Sequence, residues 1–502
     1  MIRSLFILSI LLCFHAGLAQ AITGKVIDSE SGESLSYANV EVGEEMIACN
    51  SEGSFTIPEK NNSDETLLTV SFMGYKTVRL TVAALKANQL MVGLQPGVYE
   101  LETLNISNMK PDADSIMAAV KRNLTANYKP GTEPSKSTVF YREAQTFKPI
   151  GLKVTLDKST GFNKEELRAT NAQLKAFTTK LVARPPVEFK EMLSNYYTAV
   201  KKVKDKPVFF SKLEMVKAIN LKDKNRGVSL NEMQGMATEI LFQHLDSTKY
   251  YRIKSGLFGS RDTIPLRNGF KDDKVNKSSN LHMARANLSS CMAQNSFFYS
   301  PKLNFVRNTE LYDYIFEGGI ESEDNGYVYI LKFKPRKRKA KYEGTLYISE
   351  SDYAVIRADY ALADGKTLGG VNLKFLLGVK QSENQSRGTM VFKKQPAGQG
   401  YYLKYASMEN GQYIYVNRPL KFIEITEAEK DVVALDLKIE TNMVEKAEYF
   451  CLSRYEIAEN EFDKVQEGDF NYLQLESYDP NLWKDYNIIG PLEEMKQFRV
   501  TD

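Results

Sequence analysis

The chain has 502 residues, with 66 Lys and Arg against 63 Asp and Glu and a formal net charge of +3. That balance excludes a global electrostatic attraction for nucleic acid, so any anionic partner must meet a local basic patch. Apolar content of 43 %, with 28 Tyr and 26 Phe, is ample for sizeable cores and favours strands over helices, and the length allows about three domains.

Met1 to Ala19 read as a secretory signal: Arg3 gives the positive end, Leu5 to Phe14 the apolar core, and Gly17-Leu18-Ala19 the small-residue exit. An uncleaved anchor is the alternative, disfavoured by the short apolar run, and no other stretch is long enough to span a bilayer. Leu12 precedes Cys13 where lipidation needs a small residue, so the exported chain is expected to carry no lipid and no transmembrane segment after cleavage. Cys49, Cys291 and Cys451 are too dispersed for a disulfide framework and are expected to be buried apolar residues, although one pair could form.

Residues 20–100 alternate short apolar runs with glycines, the pattern of a small β-sandwich. The segments GKVIDSESGESLSYANVEV, NSEGSFTI and VSFMGYKTV closely resemble the carboxypeptidase regulatory-like domain, a transthyretin-like sandwich common in exported proteins of Bacteroidota type. The resemblance implies a non-catalytic module. Where the family has Thr-Asp before Gly-x-Phe, this chain has Cys49-Asn50-Ser51-Glu52, which leaves the role of that Asp open here.

Residues 101–134 are expected to be a linker, with a helix over Asp112 to Tyr128 carrying Ile116, Ala119, Val120 and Leu124 on one side. Residues 135–460 read as a large antiparallel sheet domain with a helical insertion at 161–245. Within the insertion, Phe189, Met192, Leu193, Tyr196, Tyr197, Val200 and Val203 fit a helix over Val187 to Lys204, its Lys201-Lys202-Val203-Lys204 end suiting the helix dipole. Ser229 with Glu232 has the spacing of a capping box before a second helix bearing Leu230, Met233, Ile240, Leu241, His244 and Leu245.

The strand signal is clearest over Gly326 to Tyr360, where three alternating runs with short turns predict an antiparallel meander that continues over Phe297 to about Tyr455. YIFEG, YVYILKFKPRKR and YEGTLYISESDYAVIRADY again resemble the exported family. They resemble, more loosely, the half-barrel of Lol-type lipoprotein carriers, in which a curved sheet holds acyl chains. Residues 461–502 form a closing segment whose single Trp483 reads as a plug against a sheet edge. The expected fold is mainly β with some α: a transthyretin-like sandwich followed by a large curved, half-barrel-like antiparallel sheet with packed helices.

A search for catalytic chemistry leaves no catalytic residue, cofactor or metal to name. His244 and His282 lack His-x-x-Glu spacing, which rules out a metallocarboxypeptidase site, and there is neither a Gly-x-Ser-x-Gly elbow nor a phosphate loop. Asp272-Asp273 read as a solvated turn with, at most, weak calcium affinity. Asp114-Ser115-Ile116 and Asp262-Thr263-Ile264 match a short O-glycosylation pattern, the first also suiting a helix start.

The strongest charge feature is a hairpin bearing Lys332, Lys334, Arg336, Lys337, Arg338, Lys339 and Lys341, which suits either an anionic partner or a solvated, aggregation-resistant turn. The expected function is a non-catalytic envelope protein, periplasmic or outer-membrane-associated. It would bind a lipid, lipoprotein or outer-membrane protein, and no nucleic acid, on the concave face of its sheet. A carboxylate-only hydrolase and an accessory of outer-membrane transport are the alternatives.

Overall fold

A computed structural model describes residues 22–43, 45–97, 111–129, 131–222, 250–256, 258–259, 264–265, 279–322, 326–396, 400–425 and 432–498. The Ser229–Leu245 helix, His244 and Asp272-Asp273 lie outside the described residues, as does most of the Asp262–Ile264 motif. Two compact units are present: Met1–Val98 with Tyr478–Gln497, and Tyr99–Ser477 with Phe498–Asp502.

The first unit is a sandwich of short strands. β1 (Ile22–Asp28), β2 (Asn39–Val42), β3 (Glu45–Ala48), β4 (Ser54–Ile57), β5 (Leu67–Ser71), β6 (Val78–Thr81) and β7 (Met91–Leu94) form two sheets, with helix α1 (Val82–Ala87) after β6. The sheets run β4-β1-β7 and β3-β2-β5-β6, with β1 and β7 parallel. Val26, Phe55, Ile57, Val92 and Leu94 from one sheet meet Val40, Val42, Ile47, Leu68 and Val70 from the other in a single core. Gly53, at φ +74°, sits where a Cβ would lie 2.5 Å from the Val26 carbonyl oxygen, so both dihedral and space demand glycine. The segment Tyr478–Gln497 belongs to this unit, and Trp483 within it is buried, edge-on to Tyr486 at 6.1 Å.

The second unit begins with α2 (Ala113–Tyr128), whose Asp112 side chain caps the first turn by accepting from the Ser115 amide at 3.0 Å. The Ser115 hydroxyl also donates to Asp112 at 2.6 Å, so this motif is a helix start. The chain then runs β8 (Ser135–Ser159), α3 (Lys164–Ala183), β9 (Val187–Val203), β10 (Lys206–Lys222), β11 (Tyr250–Ser255), β12 (Phe258–Gly259), β13 (Ile264–Pro265), α4 (Asn280–Gln294) and α5 (Asn304–Arg307). There follow β14 (Tyr312–Ser322), β15 (Gly326–Pro335), β16 (Tyr342–Ser349), β17 (Val355–Leu362), β18 (Gly370–Leu373), α6 (Lys374–Leu377), β19 (Val379–Lys394), β20 (Tyr401–Glu424), β21 (Val432–Glu456) and β22 (Leu473–Leu475). They make a 15-stranded sheet whose main path is β14-β15-β16-β17-β19-β20-β21-β8-β9-β10-β22. The expected meander is β15, β16 and β17.

Val187 to Lys204 is not a helix. It is β9, paired along β8 and β10. The middle of the strand is buried on both faces, with Met192, Leu193, Ser194, Tyr196 and Tyr197 all inside. A strand buried on both sides loses its two-residue alternation, and its apolar residues then fit a helical stripe by coincidence. Lys204 and Asp205 have φ of +50° and +63° and close a two-residue hairpin, so the lysine run ends a strand rather than complementing a helix dipole. The helical insertion expected at 161–245 is therefore helical only over Lys164–Ala183 among the described residues.

Candidate functional site

In antiparallel pairs, directly opposed residues project to the same face, so the register defines rows across the sheet. One row runs Glu191–Arg142–Glu448–Ser407–Thr389–Asp359–Thr345–Lys332. On the opposite face the adjacent row runs Tyr141–Tyr449–Ala406–Met390–Ala358–Leu346–Leu331. The first of these rows is thus polar and charged, and the second apolar.

At the centre of the polar face Arg142 clamps two carboxylates. Its Nε donates to Glu191 Oε1 at 2.6 Å and its Nη1 to Glu448 Oε2 at 2.6 Å, with all three side chains 2 % exposed. Burial opposes the Arg142 charge, but the two carboxylates outweigh it and hold its ionisation above the ordinary guanidinium value. The Tyr405 hydroxyl donates to Glu448 Oε1 at 3.3 Å, and burial and then Glu448 push its ionisation well up. Farther along, Arg357 Nε donates to Asp359 Oδ2 at 2.7 Å, and the Thr389 hydroxyl donates to Asp359 Oδ1 at 2.7 Å.

The apolar face is covered at both ends. At one end α2 and α5 deliver an aromatic cluster, with Tyr128 edge-on to Phe392 at 5.2 Å and Phe305 stacked on Phe333 at 4.6 Å. α4 lies beside them, its Asn287 donating to Glu143 at 3.1 Å and its Ser289 bonded to the Tyr196 hydroxyl at 2.9 Å. At the other end Leu174 of α3 packs with Leu156, Leu435, Phe422 and Tyr251.

Between these two covers the register places Leu373, Val379, Val416, Ile439 and Leu152 in one row across β18, β19, β20, β21 and β8. All five side chains are aliphatic, and Leu373 is exposed while the other four are half-buried. One row back, Val371 and Ile414 flank Gln381, Val371 being exposed and Ile414 half-buried. Five aliphatic groups left partly open between helix-covered regions can take an acyl chain or another apolar group by displacing water.

A shallow depression lies where α4 meets β8 and β9, lined by Tyr141, Glu143, Lys190, Met192, Ala284, Asn287 and Tyr472. Burial raises the Glu143 carboxyl above its ordinary value, against the pull of Lys190 at 3.8 Å and the Asn287 bond. A carboxyl raised in the folded state stabilises the fold below its unfolded value and loses that contribution as pH rises through the folded value. Glu143→Gln, which removes the titration, is therefore expected to gain stability relative to the natural protein between pH 4 and pH 7. Urea unfolding at both values measures this, and parallel pH curves for the two proteins would contradict it.

The basic hairpin is formed as expected. Lys334 lies near the end of β15 opposite Asp313; Arg336 donates from Nη2 to the Glu310 carbonyl at 2.8 Å and lies 3.8 Å from Asp313. Lys337, Arg338 and Lys339 are exposed in the turn, Lys341 is half-buried before β16, and Lys332 is bonded to Glu317 at 3.2 Å. His282 stands in the first turn of α4, its amide capped by Ser279. Cys49, Cys291 and Cys451 are buried free thiols, burial pushing Cys291 up to about 12. Among the described residues no group of acids, His and Cys could hold a metal ion. The aliphatic row escapes sequence reading because its members lie on strands far apart in the chain, and bulges between Glu440 and Thr441 and between Glu383 and Gln385 shift the spacing that joins them.

Among solved structures, a DUF1329 family protein from Desulfovibrio piger is 9 % identical over 65 % of this chain and 92 % of its own, with a TM-score of 0.17. A lipovitellin structure concerned with lipid–protein interactions is 8 % identical over 69 % of this chain and 27 % of its own, at 0.22. A protein of unknown function from Bacteroides fragilis, described as membrane-associated, is 10 % identical over 86 % and 98 %, at 0.12. No curated protein sequence matches the chain. Residues 22–106 match the family model of the CarboxypepD_reg-like domain, which identifies the module that contains the sandwich.

Proposed function

We propose that this is a non-catalytic cell-envelope protein that holds a lipid, or the acyl chains of a lipidated partner, on the uncovered part of its large sheet. The observation that carries this reading is the row Leu373–Val379–Val416–Ile439–Leu152, aliphatic throughout and open between the α3 and α4 covers. The regulatory-like domain and a leader-like N-terminus support placement in the periplasm or at the outer membrane. No helix among the described residues is long and apolar enough to cross a membrane. The charge of Arg142 occupies Glu191 and Glu448, and both are sealed from solvent, which argues against their serving as an acid–base pair. Lys334, Arg336, Lys337, Arg338, Lys339 and Lys341 supply a contact for an anionic partner, which supports docking on an outer-membrane protein as the second reading.

Delipidated protein titrated with a fluorescent fatty-acid probe tests the lipid reading. Saturable uptake is expected, weakened about tenfold or more by Val416→Ser with Ile439→Ser, which leave the backbone ladder intact. Probe uptake that is absent, or equal in the double variant, removes the row as a lipid site and leaves the protein-docking version.

A further inference from the structure

The turn joining β18 to β19 carries the two most exposed large apolar side chains among the described residues. Phe375 is 101 % exposed and Leu376 78 %, beside Val371 at 52 % and Leu373 at 37 %. An apolar pair this open is costly in water unless something receives it. The segment is also held firmly. Gly378, at φ +63°, closes α6 by donating to the Lys374 carbonyl at 3.1 Å, and its own carbonyl accepts from the Asn417 amide at 2.7 Å. A Cβ at Gly378 would lie 2.1 Å from the Asn417 carbonyl oxygen, so the turn is seated tightly on β20. The Lys374 ammonium rests 4.0 Å from the centre of the Tyr415 ring, and Lys380 lies over Tyr413 at 5.3 Å. The backbone is fixed and the two large apolar side chains point away from it.

Charge around the tip selects the partner. On the paired segments 371–383, 413–418 and 437–440, Lys374, Lys380, Arg418 and Lys438 stand against Glu383 and Glu440, four basic residues to two acidic. Glu440 is engaged by the Tyr413 hydroxyl at 2.6 Å. Cations flanking a projecting apolar pair match the headgroup and acyl layers of an anionic bilayer, in the order a surface-seated group meets them. Being a projection, the tip fits a deformable layer that closes around it.

We infer that the Lys374–Leu377 turn is a membrane-surface anchor that inserts Phe375 and Leu376 into the interfacial layer of an anionic lipid bilayer. This rests on the envelope placement proposed above and is independent of whether the aliphatic row holds a ligand. Insertion would bring the open end of that row, at Leu373, next to the lipid layer.

The test is co-sedimentation of the mature full chain with vesicles of phosphatidylethanolamine and phosphatidylglycerol, and with vesicles of phosphatidylcholine alone. Binding to the anionic vesicles is expected, reduced at least about tenfold by Phe375→Ser with Leu376→Ser. Phe209→Ser, at an exposed site on β10, serves as the control and should bind as the natural protein does. All three proteins should unfold at the same urea concentration, since the substituted side chains are exposed. Absence of binding to any vesicle, or equal binding by the tip variant, overturns the anchor. Concentration-dependent self-association that the tip variant abolishes, without vesicle binding, assigns the tip to a second copy and also overturns it. The fatty-acid titration above reads the row separately, so loss of vesicle binding with retained probe uptake defeats only the anchor.

Discussion

Arg142→Met is expected to destabilise the large-sheet unit by about 3–5 kcal/mol at neutral pH, as removal of one partner from a buried ion cluster does. Glu191 on β9 and Glu448 on β21 flank Arg142 on β8, and both would stay buried after losing its guanidinium. Burial without the guanidinium favours the protonated carboxyls, so stability lost at neutral pH is expected to return as the solution is acidified. Urea unfolding of the variant should therefore show a deficit at pH 7.5 that narrows by pH 4.5. Replacing all three residues by Met should recover most of the loss, because an apolar trio of similar volume carries no desolvation penalty. A deficit below about 1 kcal/mol in the single variant would mean the carboxylates find water or another cation.

The same cluster shows what the sequence can and cannot reveal. Arg142, Glu191 and Glu448 are ordinary charged residues until the register of three strands aligns them, and no spacing rule connects positions so far apart. The meander from Gly326 to Tyr360 is legible because each strand is followed closely by its partner, and along β15 and β16 one face stays partly exposed, preserving the two-residue alternation. β9 misleads for the opposite reason, since burial on both faces erases that alternation. The sandwich is legible from its glycines and short apolar runs, whose turn geometry is local: Gly53 must be glycine whatever surrounds the domain. The exposed tip lies within GGVNLKFLLG, an apolar run that from sequence alone reads as strand interior. Only its seating on Asn417 shows that Phe375 and Leu376 face outward. The basic hairpin falls where expected because a charged turn between two alternating runs needs no long-range information.

Asn50→Asp is expected to release the segment Tyr478–Gln497 from the sandwich core at a cost of roughly 3 kcal/mol. The buried Asn50 side chain works in both directions. Its Oδ1 accepts from the Glu52 and Ser54 amides, each at 2.9 Å, and shapes the turn between β3 and β4. Its Nδ2 donates to the Gly490 carbonyl at 3.2 Å and the Pro491 carbonyl at 2.7 Å. A carboxylate can perform the first task but not the second, since it has no donor and would face two carbonyl oxygens without solvent. Asn50, which offers both an acceptor and a donor, therefore suits a segment that returns from the far end of the chain. The segment's single Trp provides the readout. Trp483 is buried, so its emission should shift to the red as the segment leaves, and chymotrypsin should then cut at Trp483 and Tyr486. The carboxyl introduced by Asn50→Asp would be buried and ionise well above its unfolded value, so the docked form is regained below the unfolded value and lost as pH rises through the folded one. An Asp variant whose emission, proteolysis and urea midpoint match the natural protein at pH 7.5 would show that the two donor bonds do not hold the segment. Asn50→Ala, which removes the turn acceptor as well, should cost more than the Asp variant at acid pH, where a protonated carboxyl still bonds one carbonyl.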